Sequence, residues 1–232
     1  MSKATFGQAL QALNLIHAKD PTAERLTALY NSGILADVLD ADLSKVERDA
    51  VRAALKLGSI FTRNEHGHVV VTFTGLDITG AEEIARLEAG GYRVGNYAKQ
   101  CFTSTNDDSY DKCHRLVAGQ QYRIALVPGK DIERDSERTT AALQKLGEKC
   151  GYGKALGGHI PRIREIISDK QMEEMGIWYI AALHDPIKNS GGDPSVLDVY
   201  RYDGERWVST YWGSPDSQWD GSGAFAFPVA AS

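Results

Sequence analysis

The sequence predicts an α+β fold, and three observations carry that prediction. Helical periodicity fills the first part of the chain, residues 1–58, with no strand-like run. β-Branched runs appear only beyond it, and helices separate them without the regular βαβ alternation of a doubly wound parallel sheet. From Val196 onward, strand-like segments follow one another across tight turns, which implies antiparallel pairing. The expected architecture is a small helical N-terminal segment, residues 1–62, followed by a mixed domain, residues 63–232, that ends in a run of antiparallel strands.

The elements follow in order. Leu10, Leu13 and His17 recur at helical spacing, and Asp20-Pro21 supplies an N-cap with proline in the first turn of the next helix. That helix carries Leu26, Leu29 and Tyr30 on one face and stops at Ser32-Gly33. Ser44 and Glu47 form a capping box for a further helix reaching Gly58. The polar cluster Arg63-Asn64-Glu65-His66-Gly67 marks the boundary. Val69–Phe73 is β-branched and reads as a strand. Thr79 and Glu82 cap a helix that runs to Gly90-Gly91. Asn96–Arg115 is polar and reads as irregular, and Gln121–Val127 alternates as a strand ended by Pro128-Gly129.

Thr140, Leu143, Leu146 and Cys150 share a helical face before the Gly151-Tyr152-Gly153 break. Pro161 opens a helix bearing Ile163, Ile166 and Ile167. Ser168 and Gln171 cap the next, which is expected to run through Met172, Met175, Tyr179 and Ala182. Val196–Tyr202 is a strand, Asp203-Gly204 a hairpin turn, and Glu205–Trp212 the returning strand. A loop, Gly213–Gly223, leads to a last strand, Ala224–Val229.

Composition narrows the function classes. A net charge of −5 argues against a nucleic-acid or anionic-membrane partner, both of which need a basic face. No apolar run approaches the ~20 residues of a membrane span. The N-terminus lacks the apolar core and cleavage site of a signal peptide, so a cytoplasmic location is expected. Cys101, Cys113 and Cys150 match no zinc spacing, and reduced thiols are expected of them. No metal or cofactor is expected. A hydrolase or transferase using Cys101 or Cys113 with His114 or His159 is the alternative function, though no spacing singles out a pair and no nucleophile elbow is present.

The chemistry-bearing segment is the C-terminal tail, residues 193–232. It holds Trp207, Trp212 and Trp219, three of the four tryptophans of the chain, and no lysine follows Lys188. Rigid aromatics interleaved with Asp, Ser, Thr and Gly are the composition of a recognition surface. Most of those tryptophans are expected in the core of a small sheet. The polar face of Val196–Tyr202 and the Asp, Ser and Gly of the following loop are left to face a ligand.

Two segments carry a family resemblance. Ile160-Pro161 followed by Glu165 resembles a Leu-Pro-Thr-x-x-Glu-Trp helix start, with Arg162 in place of Thr and Ile166 in place of Trp. Gly223-Ala224-Phe225-Ala226-Phe227 resembles a closing Gly-Phe strand. Together with the element order of residues 64–232, they resemble the variable proteins of diversity-generating retroelements, which carry a C-type-lectin fold of the formylglycine-generating-enzyme type, and the resemblance implies a domain of two helices plus antiparallel strands.

The resemblance implies a non-enzymatic protein that binds a protein or other macromolecule through a diversified face at about residues 194–228. In that family randomised template adenines turn Asn codons into Tyr, Ser, Asp, Gly, Thr, Arg or His, but never Lys, Glu, Gln, Met or Trp. By that rule Trp207, Trp212, Trp219, Glu205 and Gln218 are fixed frame. The ligand-facing set is Asp198, Tyr200, Tyr202, Ser209, Tyr211, Ser214, Asp216, Ser217, Asp220 and Ser222. The N-terminal helices are expected to pack on the domain or to mediate self-association. No cysteine follows Cys150, so the enzyme activity known in one branch of the fold is not expected. Ser214-Pro215-Asp216 and Trp219-Asp220-Gly221 are incomplete and too close together for the calcium triplets of sugar-binding lectins.

Overall fold

The computed structural model of the protein describes residues 5–17, 19–42, 46, 51, 54, 55 and 61–229. The chain divides into two units, residues 1–60 and 61–232. In the first, α1 spans Phe6–His17, α2 Ala23–Asn31 and α3 Ile34–Asp40. The cap expected at Asp20 falls two residues later: the Thr22 hydroxyl accepts from the Arg25 N–H at 3.3 Å. Pro21 therefore precedes the helix, and Asp20 takes a left-handed φ of 41°. Ser32 ends α2, and Gly33, at φ 74°, lets α3 start at once. The expected Ser44–Glu47 capping box lies outside the described residues.

The second unit is built on one mixed sheet. Its strands are β1 (Thr62–Arg63), β2 (Val69–Thr74), β3 (Arg93–Val94), β4 (Gln121–Pro128), β5 (Tyr179–Ala182), β6 (Ile187–Lys188), β7 (Pro194–Tyr202), β8 (Glu205–Trp212) and β9 (Gly223–Pro228). They lie in the order β1-β2-β4-β9-β5-β7-β8-β3, with β6 paired to β7. The sheet is not wholly antiparallel as expected, because β9 runs parallel to β5 and β3 parallel to β8. The last strand does not extend the β7–β8 hairpin. It returns to the middle of the sheet between β4 and β5, where both its faces are buried.

The helices of this unit are α4 (Gly80–Ala89), α5 (Asn96–Phe102), α6 (Thr140–Lys149), α7 (His159–Ile166) and α8 (Asp169–Glu174), with a π-turn at Tyr110–His114. The Thr79–Glu82 and Ser168–Gln171 capping boxes both form. The stretch 96–115 is not irregular as expected. It holds α5, which buries Ala98, Cys101 and Phe102 under its polar exterior. Helix α7 starts at His159, two residues before Pro161.

The largest correction concerns 169–182. Helix α8 stops at Glu174, Gly176 adopts φ 68°, and Tyr179–Ala182 is the central strand β5. Four apolar residues fit a buried helix turn or a buried strand equally well, and only the glycine distinguishes them.

The sheet buries both faces. On one, Ile124, Leu126, Ile180, Leu197, Val199 and Val208 lie beneath α7, which contacts β2, β5, β7 and β8, and beside α5. The segment Ile160-Pro161-Arg162-x-x-Glu165 ties α7 to α4: Arg162 pairs with the buried Glu83, while Arg86 pairs with both Glu83 and Glu165. On the other face, Val70, Ala125, Val127, Tyr179, Ala181, Phe225 and Phe227 pack against Leu143 of α6 and against Trp219. No helix among the described residues is long and apolar enough to cross a membrane.

Candidate functional site

Helix α6 does not cover all of the second face. Toward β7 and β8 the cover passes to the 213–222 loop, and a concavity of about 310 Å³ remains between that loop and the sheet. Strand register explains where it opens. Tyr179 of β5 pairs with Tyr200 of β7, which pairs with Trp207 of β8. In the adjacent row Ala181 pairs with Asp198, which pairs with Ser209. Directly paired residues project to the same side of a sheet. Asp198 is thus flanked by two small side chains, while the rows on either side are bulkier: the rings of Tyr179, Tyr200 and Trp207 on one side, Val196 and the Tyr211 ring on the other.

The rings hold one another. Tyr200 and Trp207 stack with centroids 5.8 Å apart and planes within 3°. Trp219 stands over the next part of the sheet, 4.6 Å from the Tyr211 ring and 5.8 Å from that of Tyr179. It is anchored from behind, its indole N–H donating to Thr140 Oγ1 at 3.0 Å. Gly223 permits this arrangement, because a Cβ there would overlap the Tyr179 ring. The Tyr179 hydroxyl donates to the Asp220 carbonyl at 3.1 Å, tying the floor to the loop.

Asp198 is the electrostatic anomaly of the site. The residue is 7% exposed, and its Oδ1 has no hydrogen-bond partner among the described residues. Burial pushes its carboxyl up to about 7, with no neighbouring cation to oppose the shift. Buried carboxylates are ordinarily paired or hydrogen-bonded, because an uncompensated buried charge is among the costliest features a fold can hold.

Of the ten residues expected to face a ligand, Asp198, Tyr200, Ser209, Tyr211 and Asp220 line this concavity. Tyr202 lies further along β7, 59% exposed, its ring edge-on to Trp178. Ser222 accompanies the rim, its N–H donating to Asp220 Oδ1 at 2.7 Å. Ser214, Asp216 and Ser217 are elsewhere. Their turn caps α6, where the Ala141 and Thr140 N–H groups donate to the carbonyls of Pro215 and Ser217 at 2.9 and 3.1 Å.

The expectation that most of the three tail tryptophans are core residues also changes. Trp219 is buried at 3% exposure, Trp207 is half-buried and Trp212 is 56% exposed. Trp178 and Tyr179, both lining the cavity, were missed by the sequence reading because it placed Tyr179 on a helix. The signal that locates them is Gly176 followed by Ile-Trp-Tyr-Ile, a strand composition after a helix stop.

The thiols and imidazoles are differently placed. Cys101 is fully buried, its thiol pushed up to about 11 by burial, while Cys113 is exposed and donates to the Asp107 carbonyl at 3.1 Å. Both are free, as is Cys150. Among the described residues no thiol is hydrogen-bonded to an imidazole. His114, His159 and His184 are buried beyond the other face, and each accepts a backbone N–H: from Gly157 at 3.2 Å, Leu156 at 3.1 Å and Leu197 at 2.9 Å. Burial lowers them to about 4, 3 and 3, so they are neutral supports at ordinary pH. Among the described residues no group of His, Cys, Asp or Glu could hold a metal ion.

Comparison of the chain with protein-family models, with curated proteins and with solved structures finds no match.

Proposed function

We propose that the chain is a non-enzymatic ligand-binding protein that presents a diversified face, made by β7, β8 and the 213–222 loop, to a protein or other macromolecular partner. One observation carries the reading. Five side chains that codon logic selects as diversifiable converge on one concave surface, around a buried acid whose Oδ1 has no partner among the described residues. Aromatics held by stacking lose little entropy on binding, and the small polar residues between them supply hydrogen bonds. Trp219, anchored to Thr140, is the rigid frame against which the variable positions change.

The C-type-lectin-like assignment of residues 63–232 belongs to this proposal. It rests on the α+β element order, on the Ile160-Pro161-Arg162-x-x-Glu165 segment that docks α7 onto α4, and on the Gly223–Phe227 strand at the centre of the sheet.

The test is read in DNA. A near-identical copy of the 3′ end of the gene should lie beside a reverse transcriptase gene and differ from it only at template adenines. The differences should fall on the codons for Asp198, Tyr200, Ser209, Tyr211 and Asp220, and spare those for Trp207 and Trp219. A locus without repeat and reverse transcriptase sinks the diversification reading.

A further inference from the structure

We propose that the concavity over Asp198 is a cation subsite, which takes the guanidinium or ammonium end of an arginine or lysine side chain presented by a partner protein. The inference rests on the reading of this face as the binding surface and names what the surface takes.

Three features converge on it. The first is the acid itself, at least nine-tenths buried, with an oxygen that no donor among the described residues reaches. The ten residues lining the cavity include no lysine or arginine. The arginines that touch its rim residues are engaged elsewhere. Arg138 donates to the carbonyls of Ile132 and Trp219 and pairs with Asp135, while Arg201 donates to the Ile177 carbonyl and lies over the Trp178 ring at 5.5 Å. The described residues therefore leave the acid without a counter-charge, which a cation from a partner would supply.

The second feature is the wall. Tyrosine and tryptophan rings surround the acid, and their faces attract cations, most strongly in a desolvated site. The third is the room. Ala181 and Ser209 leave space directly beside the carboxyl, and about 310 Å³ is at the small end of ligand pockets, suited to the end of one side chain.

An anion is disfavoured by the same arrangement, because Asp198 and Asp220 both line the cavity. The groups facing Asp198 are Tyr179, Tyr200, Tyr211 and Asp220, none of them cationic. The raised carboxyl means that an arriving cation completes its ionisation, so binding near neutral pH releases a proton.

The full chain is titrated by NMR with N-acetyl-arginine amide, N-acetyl-lysine amide and the uncharged N-acetyl-citrulline amide. At least one cation should bind about tenfold or more tighter than citrulline, shifting the indole resonance of Trp219. Asp198→Asn should abolish that preference, and Asp216→Asn, on the turn that caps α6 away from the cavity, should keep it. If Asp198→Asn does not fold, Ser209→Val decides: it fills the space beside an intact carboxyl and should cost cation binding about tenfold. Citrulline binding as well as both cations, no binding by any probe at tens of millimolar, or a cation preference that survives the Asp198 and Ser209 substitutions overturns the proposal. Equal binding of all three probes removes the cation and leaves the binding face standing, whereas the diversification reading fails only in the DNA.

Discussion

The two faces of the sheet treat buried titratable groups in opposite ways. Beyond the helix-covered face, His114, His159 and His184 each accept a backbone N–H from a neighbouring segment, even where His114 and His159 leave Nε2 unpaired. Glu83 on the same side is pushed up by burial and held by the arginines of α4 and α7. On the other face Asp198 is also buried, and its Oδ1 accepts nothing from the described residues. The histidines and Glu83 find their partners within the chain, which is what a structural role requires. Asp198 Oδ1 has no such partner among the described residues, and a cation in the proposed subsite is what would supply one.

Substitutions and pH can break or sharpen this contrast. The largest effect is expected on the covered face. Ile163→Ala opens a cavity at a fully buried position of α7 and should cost about 2–5 kcal/mol in urea unfolding. Next comes acid. The three histidines have folded pKa values below that of the unfolded chain, so an unfolded chain takes up protons first as pH falls. Stability should be complete above about pH 6.5 and fall steadily from there towards pH 4. A flat thermal-unfolding profile across that window would place the imidazoles in water.

Asp198 has the opposite sign. Its folded pKa lies above the unfolded value, so its penalty is absent below about pH 4, grows as pH rises and is complete above 7. Asp198→Asn should therefore stabilise the protein by on the order of 1–2 kcal/mol at pH 8, and by almost nothing at pH 4, in paired denaturation curves. A destabilised variant at pH 8 would mean that the carboxylate has a partner in the fold. The smallest stability effect is expected at the rim. Tyr211→Ala removes a ring that is 45% exposed and should shift stability by less than about 0.5 kcal/mol. The same change should weaken ligand binding by 2 kcal/mol or more if the ring is a binding anchor.

The legibility of the molecule follows from which of its signals are local. The capping boxes at Thr79 and Ser168, the Asp203-Gly204 turn with φ of 51° and 73°, and the β7–β8 hairpin were readable because each is specified by residues within a few positions. Helix α5 was hidden by its polar exterior, and β5 by the ambiguity of four apolar residues. Half of the candidate ligand set lines the cavity. Ser214, Asp216 and Ser217 share the composition of that set, but their turn is spent on capping α6.

The sequence by itself determined the α+β class, the helix starts set by the Thr79 and Ser168 capping boxes and the aromatic-polar character of the tail, because composition, capping and turns act over short spans. Only the tertiary structure decided that β9 returns to the centre beside β5, and that Ala181 and Ser209 flank Asp198. It also decided that Asp198 is buried with its Oδ1 unpartnered among the described residues, while Trp212 stands exposed. Those outcomes depend on pairing between residues far apart in the chain, and no short stretch of sequence encodes which strand will lie beside which.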